Sequence, residues 1–402
     1  MFWKSIINNL RYNAFIHSNN KLDSKKLEKY LLLAIHSRNS VLSFKDVHSL
    51  RISDVVSVGR GFINSVYSFS LYYTEKDEEK QLPLIIKTYG ENIDPVRRAR
   101  AHYIHNQDLR MCIREWQVLR SLEHIGFAVP KAYFYECDSQ ILGNPFLIMA
   151  KVERSKNNSA DYIINFAKTL SHLHNINFWE LDLKAIKPPE DGYEFAKRWP
   201  IHFKHVLNIE TKHHPRFKRY FDIAINWLES NISNNYCPKY SLIHGDSHPG
   251  NVFLTADLQT TLGDWDSVDI GDPALDVSNA YHTIKFFSNP KDPDSAEQLA
   301  EHFLSEYFQK SKVDIRSRLQ FYQVVTILGY SIASSSGISS PIMAYKYHQR
   351  KVLKSLPFLK LPFILFAFPF LNWSFMARQI NAENDLYWLK YFENYMKKLN
   401  LI

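Results

Sequence analysis

Three polar residues in the second half of the chain have the types and spacing that phosphoryl transfer requires. Asp246 and Asn251 lie in the segment 244–251, which reads HGDSHPGN, and Asp264 follows 13 residues after the asparagine. Transfer of a phosphoryl group from a nucleotide needs a carboxylate that orients or deprotonates the attacking hydroxyl, and oxygen ligands that hold Mg²⁺ on the phosphates. The sequence therefore predicts Asp246 as the catalytic carboxylate and Asn251 and Asp264 as metal ligands.

The elements that must position these residues differ between the two halves of the chain. From about 55 to 90, the runs VVSVG, SVYSFSLYY and LPLIIKTY predict antiparallel strands joined by hairpins. The apolar spacing of 111–124 predicts a helix, and two further strand-like runs follow it. After about residue 151 the pattern is mainly helical, with helices expected over 274–287, 295–309 and 315–334. A small β-rich half and a larger helical half predict two lobes around a cleft.

These motifs resemble those of the aminoglycoside phosphotransferase and choline kinase family, whose members are relatives of protein kinases. The resemblance rests on H-G-D-x-x-x-x-N at 244–251 and on a later D-x-D…G-D-P-x-x-D, which reads DWD at 264–266 and GDPALD at 271–276. It covers about residues 50–335. It implies an α+β, two-lobed protein-kinase-like fold with a small antiparallel-sheet N-lobe, a large mostly helical C-lobe, and ATP and Mg²⁺ as cofactors.

The resemblance also implies a nucleotide-binding site in the N-terminal half. The hairpin expected over the phosphates contains four candidate residues, Gly59, Gly61, Asn64 and Ser65. Lys87, in LIIKTY, is the strand lysine expected to contact the α- and β-phosphates, and Glu115, 28 residues later, is expected to hold that lysine. The adenine is expected against the strand 145–152, at the backbone of Ala150 and Val152.

Each of these residues has an ordinary structural explanation when it is taken alone. Two glycines often mark a simple hairpin turn, a strand lysine is often solvated, and a single aspartate often caps a turn. Agreement of six elements in chain order favours the enzyme. His244 and His248 are predicted to pack the loop, since no third ligand stands at metal spacing. Asp272 is predicted to cap the following helix, and Asp276 to accept hydrogen bonds from the catalytic-loop backbone.

Two features favour a small-molecule acceptor over a protein acceptor. Only the short segment 265–271 separates Asp264 from the next motif, and Gly245 stands where protein kinases have arginine. The sequence thus predicts an ATP- and Mg²⁺-dependent phosphotransferase that acts on a small-molecule hydroxyl. A kinase-like non-catalytic nucleotide-binding or scaffold protein is one alternative, which the intact Lys87, Asp246 and metal ligands disfavour. A kinase for a lipid-linked substrate at a membrane surface is the other.

The net charge of +8 is distributed unevenly along the chain. Residues 1–60 hold 10 basic and 4 acidic side chains and residues 352–402 hold 6 and 3, so the body between them has a net charge of about −1. The net positive charge therefore lies in the two flanks and gives no information about the charge of the substrate. Both flanks combine aromatic and basic residues, which suits peripheral contact with an anionic membrane. Nucleic acid is not expected as a partner, because no known binding module is present.

The cysteine pattern and the N-terminus bear on the cellular compartment. Cys112, Cys137 and Cys237 are far apart in sequence, with no CxxC pair, which argues against a disulfide framework or a structural zinc site. The first residues lack the apolar stretch and cleavage site of a signal peptide. We therefore expect a reducing, cytoplasmic location. The basic and aromatic flanks add the alternative of peripheral contact with the inner face of the membrane.

Four regions are expected along the chain. They are an N-terminal helical extension over 1–42, the N-lobe over 43–150, the C-lobe with its catalytic and metal-binding loops over 151–335, and an apolar, helical C-terminal extension over 336–402. Within the last region, 361–377 carries no charge for 17 residues. A membrane-spanning helix needs about 20 apolar residues, and two prolines interrupt this stretch. A buried helix pair, a wall of the substrate pocket and in-plane membrane contact remain as alternatives.

Overall fold

The computed structural model describes residues 24–34, 47–60, 64–75, 77–89, 111–152, 161–209, 215–254, 260–288, 293–335 and 388–402. Its first part combines a five-stranded sheet with three helices. In chain order these elements are α1 Ser24–Ala34, β1 Val47–Arg60, β2 Asn64–Glu75, β3 Glu78–Tyr89, α2 Met111–His124, β4 Ala132–Glu136, α3 Ser139–Leu142 and β5 Phe146–Ala150. The helix predicted over 111–124 is confirmed.

The five strands form an antiparallel sheet in the order β1-β2-β3-β5-β4. Side chains alternate between the two faces of a sheet, so β5 contributes to two cores. Phe146 and Ile148 pack with the buried residues of α1, whereas Leu147 and Met149 pack with those of α2. Lys87 lies opposite Leu147 in the β3–β5 register and so shares the face that α2 covers. The sheet alternation thus directs this lysine toward α2.

The second part is mainly helical, with two short antiparallel strand pairs. Its elements are α4 Asp161–Asn175, α5 Glu194–Ile209, α6 Pro215–Ser230, β6 Ser241–Ile243, β7 Val252–Leu254, β8 Thr260–Leu262, β9 Asp269–Gly271, α7 Ala274–Ser288, α8 Pro293–Lys310 and α9 Arg316–Ser335. Strand β6 pairs with β9, and β7 pairs with β8. The three helices predicted after the polar loops are confirmed to within two residues at each end.

Helix α7 lies at the centre of the helical part. Its residues are buried on every side from Ala274 to Ile284, and it packs against both α8 and α9. A helix that is buried all round belongs to a core rather than to a surface. The α+β architecture, with a small sheet-containing lobe and a larger helical lobe, is therefore as predicted, and α7 provides a rigid support for the polar loops that precede it.

The end of the chain adds a further helix to the same core. Residues 388–398 are helical, and Leu389, Phe392 and Met396 are buried in the hydrophobic core that also contains α7 and α9. The apolar stretch 361–377 and the N-terminal residues 1–23, on which the predicted membrane contact depends, lie outside the described residues. In the part of the chain that the structure describes, none of the helices combines the length and apolar character needed to cross a bilayer.

Candidate active site

The loop 244–251 leaves β6 through a conformation that only glycine accommodates well. Gly245 has a φ of 77°, in the left-handed region. A Cβ atom at this position would lie 2.0 Å from the carbonyl oxygen of Ser267. The absence of a side chain therefore lets this loop pack directly against the turn that follows Asp264.

Asp276, on the first turn of α7, holds the start of this loop. Its two carboxylate oxygens accept the backbone N–H groups of His244 at 2.6 Å and Gly245 at 2.8 Å. The side chain is fully buried, and His174 Nε2 lies 3.2 Å from Oδ2. Burial alone would raise the pKa of Asp276, but the hydrogen bonds from His174 and from the loop outweigh it and lower the pKa. The carboxylate thus stays ionised, and it fixes the loop backbone as predicted.

The other predicted structural residues also have internal partners. Asp272 accepts a hydrogen bond from the Ala274 N–H at 3.0 Å, as a helix cap does. His244 is buried, with Nε2 3.0 Å from the Gly263 carbonyl oxygen, and His248 Nδ1 accepts the Gly250 N–H at 2.9 Å. Both histidines therefore pack or cap the loop. Among the described residues, no group of three or more His, Cys, Asp or Glu side chains is arranged to hold a metal ion.

Asp246 and Asn251 lie beside each other in the loop, with Asn251 buried. Asn251 Nδ2 donates to the carbonyl oxygen of Asp246 at 2.9 Å and to its Oδ2 at 3.3 Å. His248 Nε2 lies 3.6 Å from the same carboxylate oxygen, and the Asp246 side chain is 36% exposed. This carboxylate is thus oriented by its neighbours yet remains accessible to a reacting hydroxyl.

Lys87 connects the sheet, helix α2 and the loop after β8. Its ammonium lies 2.8 Å from Glu115 Oε2 and 2.5 Å from Asp264 Oδ1, and the side chain is 5% exposed. Burial alone would lower the pKa of Lys87, but the charges of the neighbouring carboxylates raise it, so the ammonium remains charged. Glu115 also accepts a 2.6 Å hydrogen bond from the Tyr89 hydroxyl, which fixes its orientation.

The segment 264–266 presents two carboxylates to this lysine in different ways. Asp264 has a φ of 66° and its side chain is 47% exposed, whereas that of Asp266 is 16% exposed and lies 3.9 Å from Lys87. Burial, and then the charge of Asp264, raise the pKa of Asp266 to about 7. Asn64 Nδ2 donates to Asp266 Oδ2 at 2.9 Å. This bond joins the predicted phosphate hairpin to the predicted metal loop.

The donors around Asp264 suit a hard divalent cation. Strands β7 and β8 pair Val252 with Leu262, and the Gly263 N–H donates to the Asn251 carbonyl oxygen at 2.9 Å, so Asn251 and Asp264 lie at the same end of this hairpin. Their side chains offer carboxylate and amide oxygens. In nucleotide-dependent enzymes Mg²⁺ is held by one or two carboxylates together with substrate phosphates. The residues present therefore fit Mg²⁺.

Three of the remaining predicted nucleotide residues, Gly59, Ser65 and Ala150, lie on strands β1, β2 and β5 of the sheet. Gly59 is opposite Val66 in the β1–β2 register, and Ser65 is opposite Thr88 in the β2–β3 register. Gly61 lies outside the described residues. The Ala150 N–H donates to the Lys131 carbonyl oxygen at 2.8 Å. That N–H is therefore engaged within the protein, whereas Val152 is partly exposed.

Several contacts of the site were not predicted from the sequence, and three of them link residues of different elements or positions. They are the His174 bond to Asp276, the Tyr89 bond to Glu115 and the Asn64 bond to Asp266. The alternation of β3 could have indicated Tyr89, because residues two apart on a strand share a face. The other two bonds join elements about 100 and 200 residues apart, so no local pattern reports them.

Comparison with known proteins agrees with this geometry. The model of a phosphotransferase enzyme family matches residues 62–316. Acyl-CoA dehydrogenase family member 11 of Pongo abelii is 27% identical over 184 residues, which is 41% of this chain and 22% of that protein. The match thus spans about a fifth of the length of this curated relative.

Two solved structures share the fold. One, from Ralstonia eutropha, is provisionally classed as an aminoglycoside phosphotransferase; it has a TM-score of 0.57 and 14% identity, over 94% of this chain and 99% of that one. The other is the aminoglycoside phosphotransferase APH(4)-Ia in a ternary complex with AMP-PNP and hygromycin B, with a TM-score of 0.51 and 15% identity, over 77% and 91% of the two chains. These similarities show a kinase-like fold.

Proposed function

Because the chain belongs to the phosphotransferase enzyme family, we propose that it transfers the γ-phosphate of ATP, with Mg²⁺, to a hydroxyl of a small molecule. The observation that carries the proposal is the position of the Lys87 ammonium, which contacts Glu115 at 2.8 Å and Asp264 at 2.5 Å. A buried cation therefore lies beside a half-exposed carboxylate. Phosphoryl transfer needs both groups close together, because the cation contacts the nucleotide phosphates and the carboxylate holds the metal bound to them. A relative of the same fold was crystallised with AMP-PNP and hygromycin B, which supports a nucleotide and a small acceptor.

The lysine has a different partner on each side, and this suggests how it would work. The Glu115 carboxylate is buried and also bonded to Tyr89, so it is a permanent anchor for Lys87. Asp264 is 47% exposed and can exchange the lysine for a cation. With nucleotide bound, Lys87 would then pair with the α- and β-phosphates, and Asp264 and Asn251 would hold Mg²⁺. Bound Mg²⁺ supplies charge neutralisation for the phosphates during transfer.

Asp246 would act on the acceptor. Asn251 fixes one of its oxygens at 3.3 Å, and the exposed part of the carboxylate faces solvent. It would accept a hydrogen bond from the substrate hydroxyl and align the oxygen with the γ-phosphate. It would then take up the proton as the new O–P bond forms and the bond from the γ-phosphorus to ADP breaks, which releases ADP. The hydrogen bonds that the loop backbone donates to Asp276 would keep this geometry rigid.

An ADP-release assay tests the proposal and identifies the acceptor class. The wild-type protein is incubated with MgATP and a panel of amino sugars, choline-like amines, sugars and lipid head groups. We expect ADP release above the background hydrolysis rate with one class. Asp246→Asn should reduce that turnover by about 10²- to 10⁴-fold, because it removes the carboxylate that positions the hydroxyl. Nucleotide affinity, measured by calorimetry, should stay within about twofold, since Asp246 is not assigned to ATP.

The matched control is Asp182→Asn, which removes a carboxylate that is 73% exposed and pairs with the exposed Lys184. Its turnover should equal that of the wild type. An unchanged turnover in Asp246→Asn would refute the assignment. Loss of nucleotide binding in that variant would instead indicate a disturbed cleft.

Removal of the metal is a second test. Chelation with EDTA should abolish ADP release, and added Mg²⁺ should restore it, because Asp264 and Asn251 offer oxygen ligands to such an ion. Full activity in EDTA would contradict the assigned role of these two residues.

A further inference from the structure

Two cysteines that are remote in sequence lie in contact in the sheet lobe. Cys112 is in the first turn of α2, and Cys137 directly follows β4. Their sulfur atoms are 3.2 Å apart, although 25 residues separate them along the chain. A disulfide has an S–S distance of about 2.05 Å, so a movement of about 1 Å would bring the two sulfurs to bonding distance.

One member of the pair, Cys112, lies on helix α2, which also carries the Glu115 that holds Lys87. Cys112 precedes Glu115 by three residues, so the two side chains occupy neighbouring positions on the same face of α2. Glu115 holds Lys87 and also accepts the Trp265 N–H at 3.3 Å. In the arrangement where the thiols touch, this ion pair is therefore intact. A bond between the sulfurs would attach α2 to the edge of the sheet in that arrangement.

We propose that Cys112 and Cys137 are an oxidisable dithiol, whose disulfide fastens α2 in the position at which Glu115 holds Lys87. The oxidant would be a low-molecular-weight disulfide such as oxidised glutathione. This modification goes beyond the proposed phosphotransferase function and does not depend on it, because it requires only the two thiols and the packing of α2.

The two sulfurs differ in accessibility, which sets the order of the steps. Cys137 is half-buried, whereas Cys112 is 1% exposed. The Cys137 thiolate attacks the small disulfide, forms a mixed disulfide and releases one thiolate. Cys112 then loses its proton to solvent and attacks Cys137 Sγ, which forms the protein disulfide and releases the second thiolate. Two protein thiols are oxidised, and one small disulfide is reduced to two thiols.

The third cysteine is a natural control. Cys237 is buried in the helical lobe, where its thiol donates to the Lys239 carbonyl oxygen at 3.3 Å. Burial raises the pKa of Cys237, and the hydrogen bond with Cys137, together with burial, raises that of Cys112. A buried thiol with a raised pKa reacts slowly with an external disulfide. Only the pair has a second thiol within reach to resolve the mixed disulfide.

The experiment follows the full chain through a glutathione redox titration at pH 8. Intact mass under denaturing conditions should show a loss of two hydrogens, reversed by dithiothreitol, and peptide mapping should join the peptides that contain Cys112 and Cys137. Cys237→Ser should still form the bond, and Cys137→Ser should not. Recovery of only mixed disulfides with glutathione, or a bond that involves Cys237, would overturn the proposal.

Hydrogen exchange and thermal unfolding test the fastening of α2. In the oxidised wild type the amides of 111–124 should exchange more slowly than in the reduced protein, and the unfolding midpoint should rise, because the cross-link restricts the unfolded chain. Neither shift should occur in Cys137→Ser. Faster exchange of α2 after oxidation would show that the bond distorts this helix. These readouts need no substrate, so they are independent of whether the protein transfers phosphate.

Discussion

Two pairs of aspartates, all within 31 residues of one another, meet opposite conditions in the same lobe. The side chains of Asp272 and Asp276 have no exposed surface, and the protein itself supplies their hydrogen-bond donors. The side chains of Asp246 and Asp264 are 36% and 47% exposed. A buried carboxylate has to be satisfied internally, whereas an exposed one can exchange water for a ligand. The comparison separates charges that hold the fold from charges that are available for chemistry.

The largest expected effect is on the buried ion pair between Arg318 and Asp272. Arg318 Nε donates to Asp272 at 2.5 Å, and the two side chains are 4% and 0% exposed. Arg318→Met should lower the free energy of unfolding by about 3–5 kcal/mol, because it leaves a buried carboxylate without its cation. Urea denaturation measures this loss.

The matched control lies two residues earlier on the same helix. Arg316 pairs with Asp314 at 3.3 Å, but these side chains are 63% and 72% exposed. Arg316→Met should change the free energy of unfolding by less than about 1 kcal/mol, since an exposed ion pair contributes little. Equal losses in the two variants would remove the distinction between buried and exposed charges.

The second prediction concerns an exposed aspartate. Asp264→Asn should lower turnover by about 10²-fold or more, because it removes the anionic ligand assigned to Mg²⁺. Folding stability should fall by less than in Arg318→Met, since Lys87 keeps Glu115 as a partner and asparagine tolerates the left-handed conformation of this residue. Turnover in the ADP-release assay and urea denaturation would be compared. A loss of stability without a loss of turnover would place Asp264 with the structural pair.

The third prediction tests the support under the catalytic loop. In the wild type, two backbone N–H groups donate to the two carboxylate oxygens of Asp276. Asp276→Asn leaves only one side-chain oxygen to accept these two hydrogen bonds. We expect a loss of about 1–3 kcal/mol in the free energy of unfolding, together with reduced turnover at saturating substrate, because Gly245 directly precedes Asp246. The exposed Asp294→Asn on α8 is the control, and it should match the wild type. Urea denaturation and turnover are measured for both variants, and equal values for the two variants would contradict the supporting role of Asp276.

The smallest expected effect is the pH dependence of the stability difference between the wild type and Asp276→Asn. The pKa of Asp276 is lower in the folded protein than in the unfolded chain, so its contribution to stability is present above the unfolded value of about 3.9 and is lost as the pH falls below it. The gap in urea midpoint between wild type and Asp276→Asn should therefore narrow between pH 5 and pH 3. A gap that widens on acidification would mean that Asp276 is not ionised in the folded state.

Much of the fold could be predicted because its signals are local. The apolar spacing of 111–124 reports one helix face, and the charged hairpin tip between β2 and β3 separates two alternating strands. The start of β1 at Val47, some eight residues before the predicted strand, was missed, because HSLRISD carries no clear alternation. The one-turn helix Ser139–Leu142 was also missed, since four residues hold too little periodicity to detect.

The cysteines show where local reasoning stops. Their separation in sequence argued against a disulfide framework, yet the packing of α2 against the sheet brings Cys112 and Cys137 to 3.2 Å. Contact between segments 25 residues apart depends on how a helix crosses a sheet, which neither segment encodes alone. The same reasoning applies to the bond between Asn64 and Asp266, which joins residues 202 positions apart.

Residue types and spacing alone indicate the available chemistry, because carboxylate, amide and ammonium groups occur in a particular order along the chain. They also indicate the longer helices and the alternating strands, since the apolar residues of each mark its buried face. The packing of distant segments determines which aspartates are buried beside Arg318 and His174 and which remain exposed to solvent. It also determines that Lys87 lies between Glu115 and Asp264. Burial and charge pairing arise from contacts between distant segments, and these exist only once the chain has folded.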